Sequence, residues 1–227
     1  MSSSHPVLSP EREALVRWAA NLGAITVEAL ALRLDVSLPS ARARLSAACR
    51  AELLVPHRLG GPVLFTATPA GLRACQPGLD PCRVSASSAR HLAVCARVAA
   101  ALERGYPECR VLGERLLRLE ERDGPLASVP LGRGPGGEPA LHRPDLVLWP
   151  KRAEDGLPVA VEVELTIKAP QRLLSICRAW ARAHCVAGVL YLAPPHVQRA
   201  VQRAIERARA EATIVVLPLD ALPGLED

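Results

Sequence analysis

The sequence predicts an α/β chain of two domains, a small helical one closed by a hairpin and a larger one in which strands alternate with helices. Three observations predict it. Apolar residues recur at helical spacing through residues 11–51, then give way to two short β-prone runs around a Gly-Gly-Pro turn. Between residues 146 and 217, apolar strand-like runs alternate with helical patterns, the order of an α/β domain. A stretch rich in proline, glycine and polar residues, 76–83, separates the two and places the domains at 9–76 and 84–219.

In the first domain, Ala14, Leu15, Trp18, Ala19 and Leu22 mark a helix over 11–22, with Ser9 as N-cap, Pro10 in the first turn and Gly23 as the stop. Thr26 caps a second helix running to Leu34. After a break at Asp35-Val36, Ser37 caps a third, with Pro39 in its first turn. Residues 54–57 and 63–66 read as strands joined by Gly60-Gly61-Pro62, and Thr68-Pro69 opens a short helix ending near Cys75. The second domain begins with a long helix, 87–104, followed by a short strand at 110–112. Residues 114–121 are helical or irregular, and 132–139 are a Gly/Pro-rich turn. Strands then fall at 146–149 and 159–165, a helix at 170–183, a strand at 186–192, an arginine-rich helix at 195–210 and a strand at 213–217.

Composition narrows the function classes. The 227 residues are 49% hydrophobic, enough to pack a core, which excludes a wholly disordered chain. The net charge of +5 suits a polyanionic partner. Only Lys151 and Lys168 among the 28 basic residues are lysines, so arginine abundance reflects overall composition and a lysine is the unusual residue. The 7 cysteines are odd in number and form no CxxC pair, which argues against a disulfide framework or a zinc ribbon. Most of them read as small buried hydrophobes in a reducing compartment. Residues 1–10 lack the apolar core of a secretory signal, and no apolar run approaches the ~18–20 residues of a membrane span, so a cytoplasmic protein without a membrane partner is expected.

Three helices followed by a two-stranded wing describe a winged helix-turn-helix. In such a domain one helix enters the major groove while flanking basic groups and the wing grip phosphates. The recognition helix would be residues 37–51. Ala41, Leu45 and Ala48 form its buried stripe, Arg42 and Arg44 flank it, and Arg50 lies on the far side. Ser40, Ala43 and Ala47 face the groove, and Arg58 beside the wing turn is placed to meet a phosphate. That face carries few base-reading groups, so the expected grip on double-stranded DNA is mainly electrostatic. The competing reading is a winged helix used for protein contacts or dimerisation. A palindromic target would call for a homodimer.

The strongest chemical signal lies in the second domain. His142-Arg143-Pro144-Asp145 precedes one strand, and Val159-Ala160-Val161-Glu162-Val163-Glu164-Leu165 forms the next. Strand alternation sends Glu162 and Glu164 to one side and Val161, Val163 and Leu165 to the other. Two carboxylates on one face of a buried strand are costly, and Asp145 nearby adds a third. A hard divalent cation, Mg²⁺ or Mn²⁺, would relieve that cost and could activate water against a phosphodiester. The competing reading is an exposed strand face paired with arginines.

The pattern Pro-Asp followed by Glu-x-Glu on the next strand resembles the PD-(D/E)XK nuclease superfamily. The resemblance implies that Asp145 and Glu162 bind the metal. It also departs from the superfamily, because Glu164 stands where lysine is usual. Some restriction endonucleases also carry glutamate there, and Lys168, four residues on, could reach back to supply the positive charge. Glu114, upstream of the core, is a weaker acidic candidate. Residues 159–168, with Arg172-Leu173, His142 to Asp145 and the N-terminal winged helix, resemble the replication-relaxation family of actinobacterial and plasmid-linked proteins over residues 9–192. That resemblance implies a role in plasmid replication or DNA relaxation.

Two functions follow as expectations. One is a metal-dependent DNA endonuclease or nickase with Asp145, Glu162 and Glu164 on the metal and Lys168 stabilising developing negative charge. The other is a catalytically inactive replication accessory factor or transcriptional regulator. Of the remaining candidates, His142 could assist the metal or a phosphate. His184-Cys185 lacks an aligned base for nucleophilic work. Residues 132–137 lack the Gly-Lys-Ser/Thr end of a phosphate loop. Arg199, Arg203, Arg207 and Arg209, beside Glu206 and Glu211, read as a solvated helix face.

Overall fold

The computed structural model describes residues 8–75, 78–134, 137, 139–222 and 225. Most of the N-terminal segment read for a secretory signal, the start of the 76–83 linker and part of the Gly/Pro-rich turn lie outside the described residues. The fold is mixed α/β and divides into two compact units, Met1–Ala96 and Arg97–Asp227. No described helix is long and apolar enough to cross a membrane.

The first unit opens with α1 (Pro10–Leu22), which has Pro10 at its first position and Glu11 and Glu13 in the first turn, where the helix dipole favours acid. Gly23 stops it at φ 89°. The Thr26 hydroxyl accepts from the Ala29 N–H at 3.1 Å and caps α2 (Val27–Leu34), which ends at a left-handed Asp35. The Ser37 hydroxyl accepts from the Ser40 N–H at 3.4 Å at the head of α3 (Leu38–Arg50). β1 (Leu54–His57) and β2 (Leu64–Ala67) pair antiparallel. Thr68 then caps α4 (Pro69–Cys75). Its hydroxyl accepts from the Gly71 N–H at 3.0 Å and donates to the Glu52 carbonyl at 2.6 Å. Val16, Ala19, Ile25, Leu30, Leu45 and Leu64 fill the core.

The division between units falls inside the long helix α5 (Ala86–Gly105), beyond the 76–83 stretch where the composition changes. The reason is packing: Val84, Ala89, Leu92 and Ala93 lie against Ala24 and Leu64 of the first unit.

The second unit is built on a five-stranded sheet. Its strands are β3 (Cys109–Gly113), β6 (Leu146–Pro150), β7 (Val159–Val163), β8 (Gly188–Ala193) and β9 (Ile214–Pro218), in that spatial order. β6 pairs antiparallel with both β3 and β7, and β7, β8 and β9 run parallel. α6 (Glu114–Glu120) follows β3. A separate hairpin of β4 (Val129–Arg133) and β5 (Pro139–His142) stands where the sequence reads as a turn at 132–139. Its register shifts between Pro130 and Arg133 with Gly132 at φ 125°, which erases the two-residue periodicity that marks a strand. α7 (Pro170–Ala181) connects β7 to β8 and α8 (Pro195–Ala208) connects β8 to β9, each with proline in its first turn. Right-handed crossovers between adjacent parallel strands put both helices on the same side of the sheet. They pack against each other there, over Trp180, Tyr191, Ile176, Val197 and Val201.

β7 ends at Val163, so Glu164 and Leu165 lie past the strand expected over 159–165. The alternation does not expose one face either. Glu162 and Glu164 are 3% and 4% exposed, and Val161, Val163 and Leu165 are buried too. The reading of an exposed carboxylate face paired with arginines is therefore corrected. The strand is interior to the sheet, and its acids find other partners.

Candidate functional site

Asp145 sits in the short connection from β5 to β6. Its Oδ2 accepts from the Val163 N–H at 2.8 Å, and its carbonyl accepts from the Glu114 N–H at 3.0 Å. One residue thus ties the head of β6 to the end of β7 and to the start of α6. Leu146 pairs with Val161, and extending that antiparallel register by one residue sets Asp145 beside Glu162.

Glu162 is the buried acid at the centre. Its Oε1 accepts from His142 Nε2 at 2.6 Å and from the Trp180 indole N–H at 3.2 Å. The His142 ring meets Trp180 edge-on, with centroids 5.9 Å apart. Glu164 pairs with the Lys168 ammonium, four residues on. Burial pushes the Glu164 carboxyl above its ordinary range. Lys168 pulls it back, while the neighbouring Glu162 and Asp145 push it further up.

The loop that carries His142 and Asp145 is anchored from behind. Glu121, its side chain fully out of solvent, accepts at Oε1 from the N–H groups of Leu126 and Ala127 at 2.9 and 3.1 Å. At Oε2 it accepts from the Ser128 hydroxyl at 2.6 Å and from Arg143 Nε at 2.9 Å. Arg143 lies between His142 and Asp145, so this knot fixes both.

The donor chemistry fits a hard divalent cation. Three oxygen-bearing acids, Asp145, Glu162 and Glu164, lie near enough to one another to interact, and oxygen is the donor that such a cation takes. Asp145, Glu162 and Glu164 do not bring one oxygen each within 4.8 Å of one another. A metal would therefore be held by part of the set together with water.

Other expected residues take different places. Glu114 turns its carboxylate to Arg118 at 2.5 Å, so only its backbone touches the site. Cys185 directs its thiol to the Ser128 carbonyl at 3.9 Å, and burial pushes that thiol up, against a nucleophilic role. Among the described residues, none of the seven cysteines is joined in a disulfide. On α3, Ala41, Leu45 and Ala48 are buried as expected, Arg42, Arg44 and Arg50 are exposed, and Ser40 is half-buried. Arg58 is exposed beyond β1. Arg44 lies 3.9 Å from Glu11, but both side chains are exposed and such a pair contributes little.

Sequence reasoning missed the partners of the acids. Trp180 reads from its spacing as core alone, and Tyr191 as an ordinary strand residue. In the fold Tyr191 pairs in register with Glu162, and its hydroxyl is held well above its ordinary range by burial and by the surrounding carboxylates. Glu121 and Arg143 carry no local signal of their pairing. Compared with known protein families, curated proteins and solved structures, the chain finds no match.

Proposed function

We propose that this is a double-stranded-DNA-binding protein in which a winged helix-turn-helix accompanies a PD-(D/E)XK nuclease-like domain with a site for Mg²⁺ or Mn²⁺. The observation that carries the reading is the seating of Asp145 at the head of β6, hydrogen-bonded to Val163 between the two glutamates of the neighbouring strand. The order antiparallel, antiparallel, parallel, with α7 as the crossover, supports the nuclease-like assignment of the second unit. The order of three helices, hairpin and helix, with an alanine-rich buried stripe and exposed arginines on α3, supports the winged helix.

In this reading Asp145 and Glu162 hold the cation, and Lys168 supplies beside Glu164 the positive charge that the superfamily places on the strand. When bound, the cation would lower the pKa of a water and polarise a phosphodiester. His142 and Trp180 fix the rotamer of Glu162, and the Glu121–Arg143 pair fixes the loop that presents Asp145. The role in plasmid replication or DNA relaxation implied by the family resemblance rests on residues 142–145, 159–168 and 172–173 with the N-terminal winged helix, and belongs to the same proposal.

A second reading, a DNA-binding accessory factor without cleavage, is favoured by one observation. Glu162 and Glu164 are already satisfied by His142, Trp180 and Lys168, as structural acids would be. Calorimetric titration with Mn²⁺ separates the two. The metal-site reading expects binding in the micromolar range that disappears in Asp145→Ala. Absence of heat at millimolar metal leaves the accessory-factor reading.

A further inference from the structure

We propose that the outer face of the α7–α8 layer is a second docking surface for the phosphate backbone of double-stranded DNA, separate from α3 and from the acidic site. The inference rests on the DNA-binding reading above for the identity of the polyanion. Each helix buries an apolar stripe against the sheet, Leu173, Ile176 and Trp180 from α7 and Val197, Val201 and Ile205 from α8. Their opposite faces are exposed and carry Arg172, Arg178 and Arg182 on one helix and its C-cap, and Arg199, Arg203 and Arg207 on the other. Because the two helices pack against each other on one side of the sheet, these exposed faces belong to one helical layer.

Three features set this face apart from an ordinary solvated one. First, Glu206 is the only acidic residue between 170 and 208. Six arginines less one glutamate is +5, the net charge of the entire chain, so the remaining residues balance to zero. Second, among the described residues none of the six side chains forms an ion pair or hydrogen bond, and Glu206 is not drawn to any of them. Third, Arg199, Arg203 and Arg207 repeat at four-residue spacing. Like charges at that spacing repel on an isolated helix. The repeat advances about 6 Å per step along the helix axis and so presents a row of guanidinium groups. A row of phosphates removes the repulsion and supplies the missing partners, and guanidinium groups suit phosphate geometry.

The test is the salt dependence of binding of the full-length chain to a short mixed-sequence duplex, followed by fluorescence anisotropy. Arg199→Ala/Arg203→Ala/Arg207→Ala is expected to weaken binding roughly tenfold or more and to lower the slope of log K against log salt by about 2 to 3, since each phosphate contact contributes about 0.9. The Arg199→Lys/Arg203→Lys/Arg207→Lys variant keeps the charge and should hold the slope within about one contact of wild type. An unchanged slope in the alanine variant overturns the inference, as does equal loss in the lysine and alanine variants. Arg42→Ala/Arg44→Ala in the same assay separates this inference from the recognition-helix reading. If only that pair weakens binding, the α7–α8 surface is refuted and the recognition helix stands. If only the α8 triple does, the reverse holds. A chain that ignores duplex but binds anionic phospholipid vesicles through the α8 arginines would overturn both.

Discussion

Glu121 receives four donors inside the second unit, and one of them is a charged guanidinium. Removing one partner of a buried ion pair leaves the other charge uncompensated, typically at a cost of about 3–5 kcal/mol. Glu121→Ala should lose stability of that order in urea titration, and Glu121→Gln should lose less, because an amide oxygen still accepts. A midpoint unmoved by Glu121→Ala would show that the knot does not hold the loop. Cys177, fully buried on α7, has its thiol pushed up to about 12 by burial first and by nearby Glu162 second. A folded-state value raised above the ordinary 9.0 contributes stability that is complete below pH 9.0 and is lost as pH rises through about 12. Stability should therefore fall with pH across that window, and the fall should be shallower in Cys177→Ala. Parallel pH profiles for the two proteins would count against this burial effect.

Element boundaries were legible where the signal is local. Ser9, Thr26 and Ser37 announce three helices, and Gly23 and Asp35 end two of them. The hairpin of β4 and β5 was not legible, since its bulge and glycine break the alternation. The end of β7 at Val163, and with it the position of Glu164 past the strand, depends on pairing with β8 that spacing does not report. Close packing makes a testable point at α4. A Cβ added at Gly71 would lie 2.3 Å from the Leu53 carbonyl oxygen and 3.1 Å from Val16 Cγ1. Gly71→Ala should gain helix propensity of about 1 kcal/mol yet lose more by forcing the helix off the hairpin, a net loss of roughly 1–2 kcal/mol. A thermally stabilised Gly71→Ala protein would contradict that packing.

Across the whole molecule, the order of elements outside the β4–β5 hairpin could be read from periodicity, whereas the environment of the acids could not. Asp145, Glu162, Glu164 and Lys168 were visible as residues, and the return of Lys168 to Glu164 is made by the irregular segment between β7 and α7. Their neighbours Trp180, Tyr191 and Glu121 reach the site only through the parallel pairing of β7 with β8, the packing of α7 and the Glu121–Arg143 ion pair. Charge shows the same divide. The modest excess of the full sequence looks diffuse, but it equals the surplus of residues 170–208. If the acidic site works on DNA, catalysis should need both the loop acid and the strand acid. The direct measurement is incubation of the purified chain with supercoiled plasmid and Mg²⁺ or Mn²⁺, beside an Asp145→Ala/Glu162→Ala control. A nuclease site predicts nicked or linear plasmid with wild type alone. Plasmid left supercoiled by a wild-type protein that still shifts it in a gel would contradict cleavage and leave the acids a structural role.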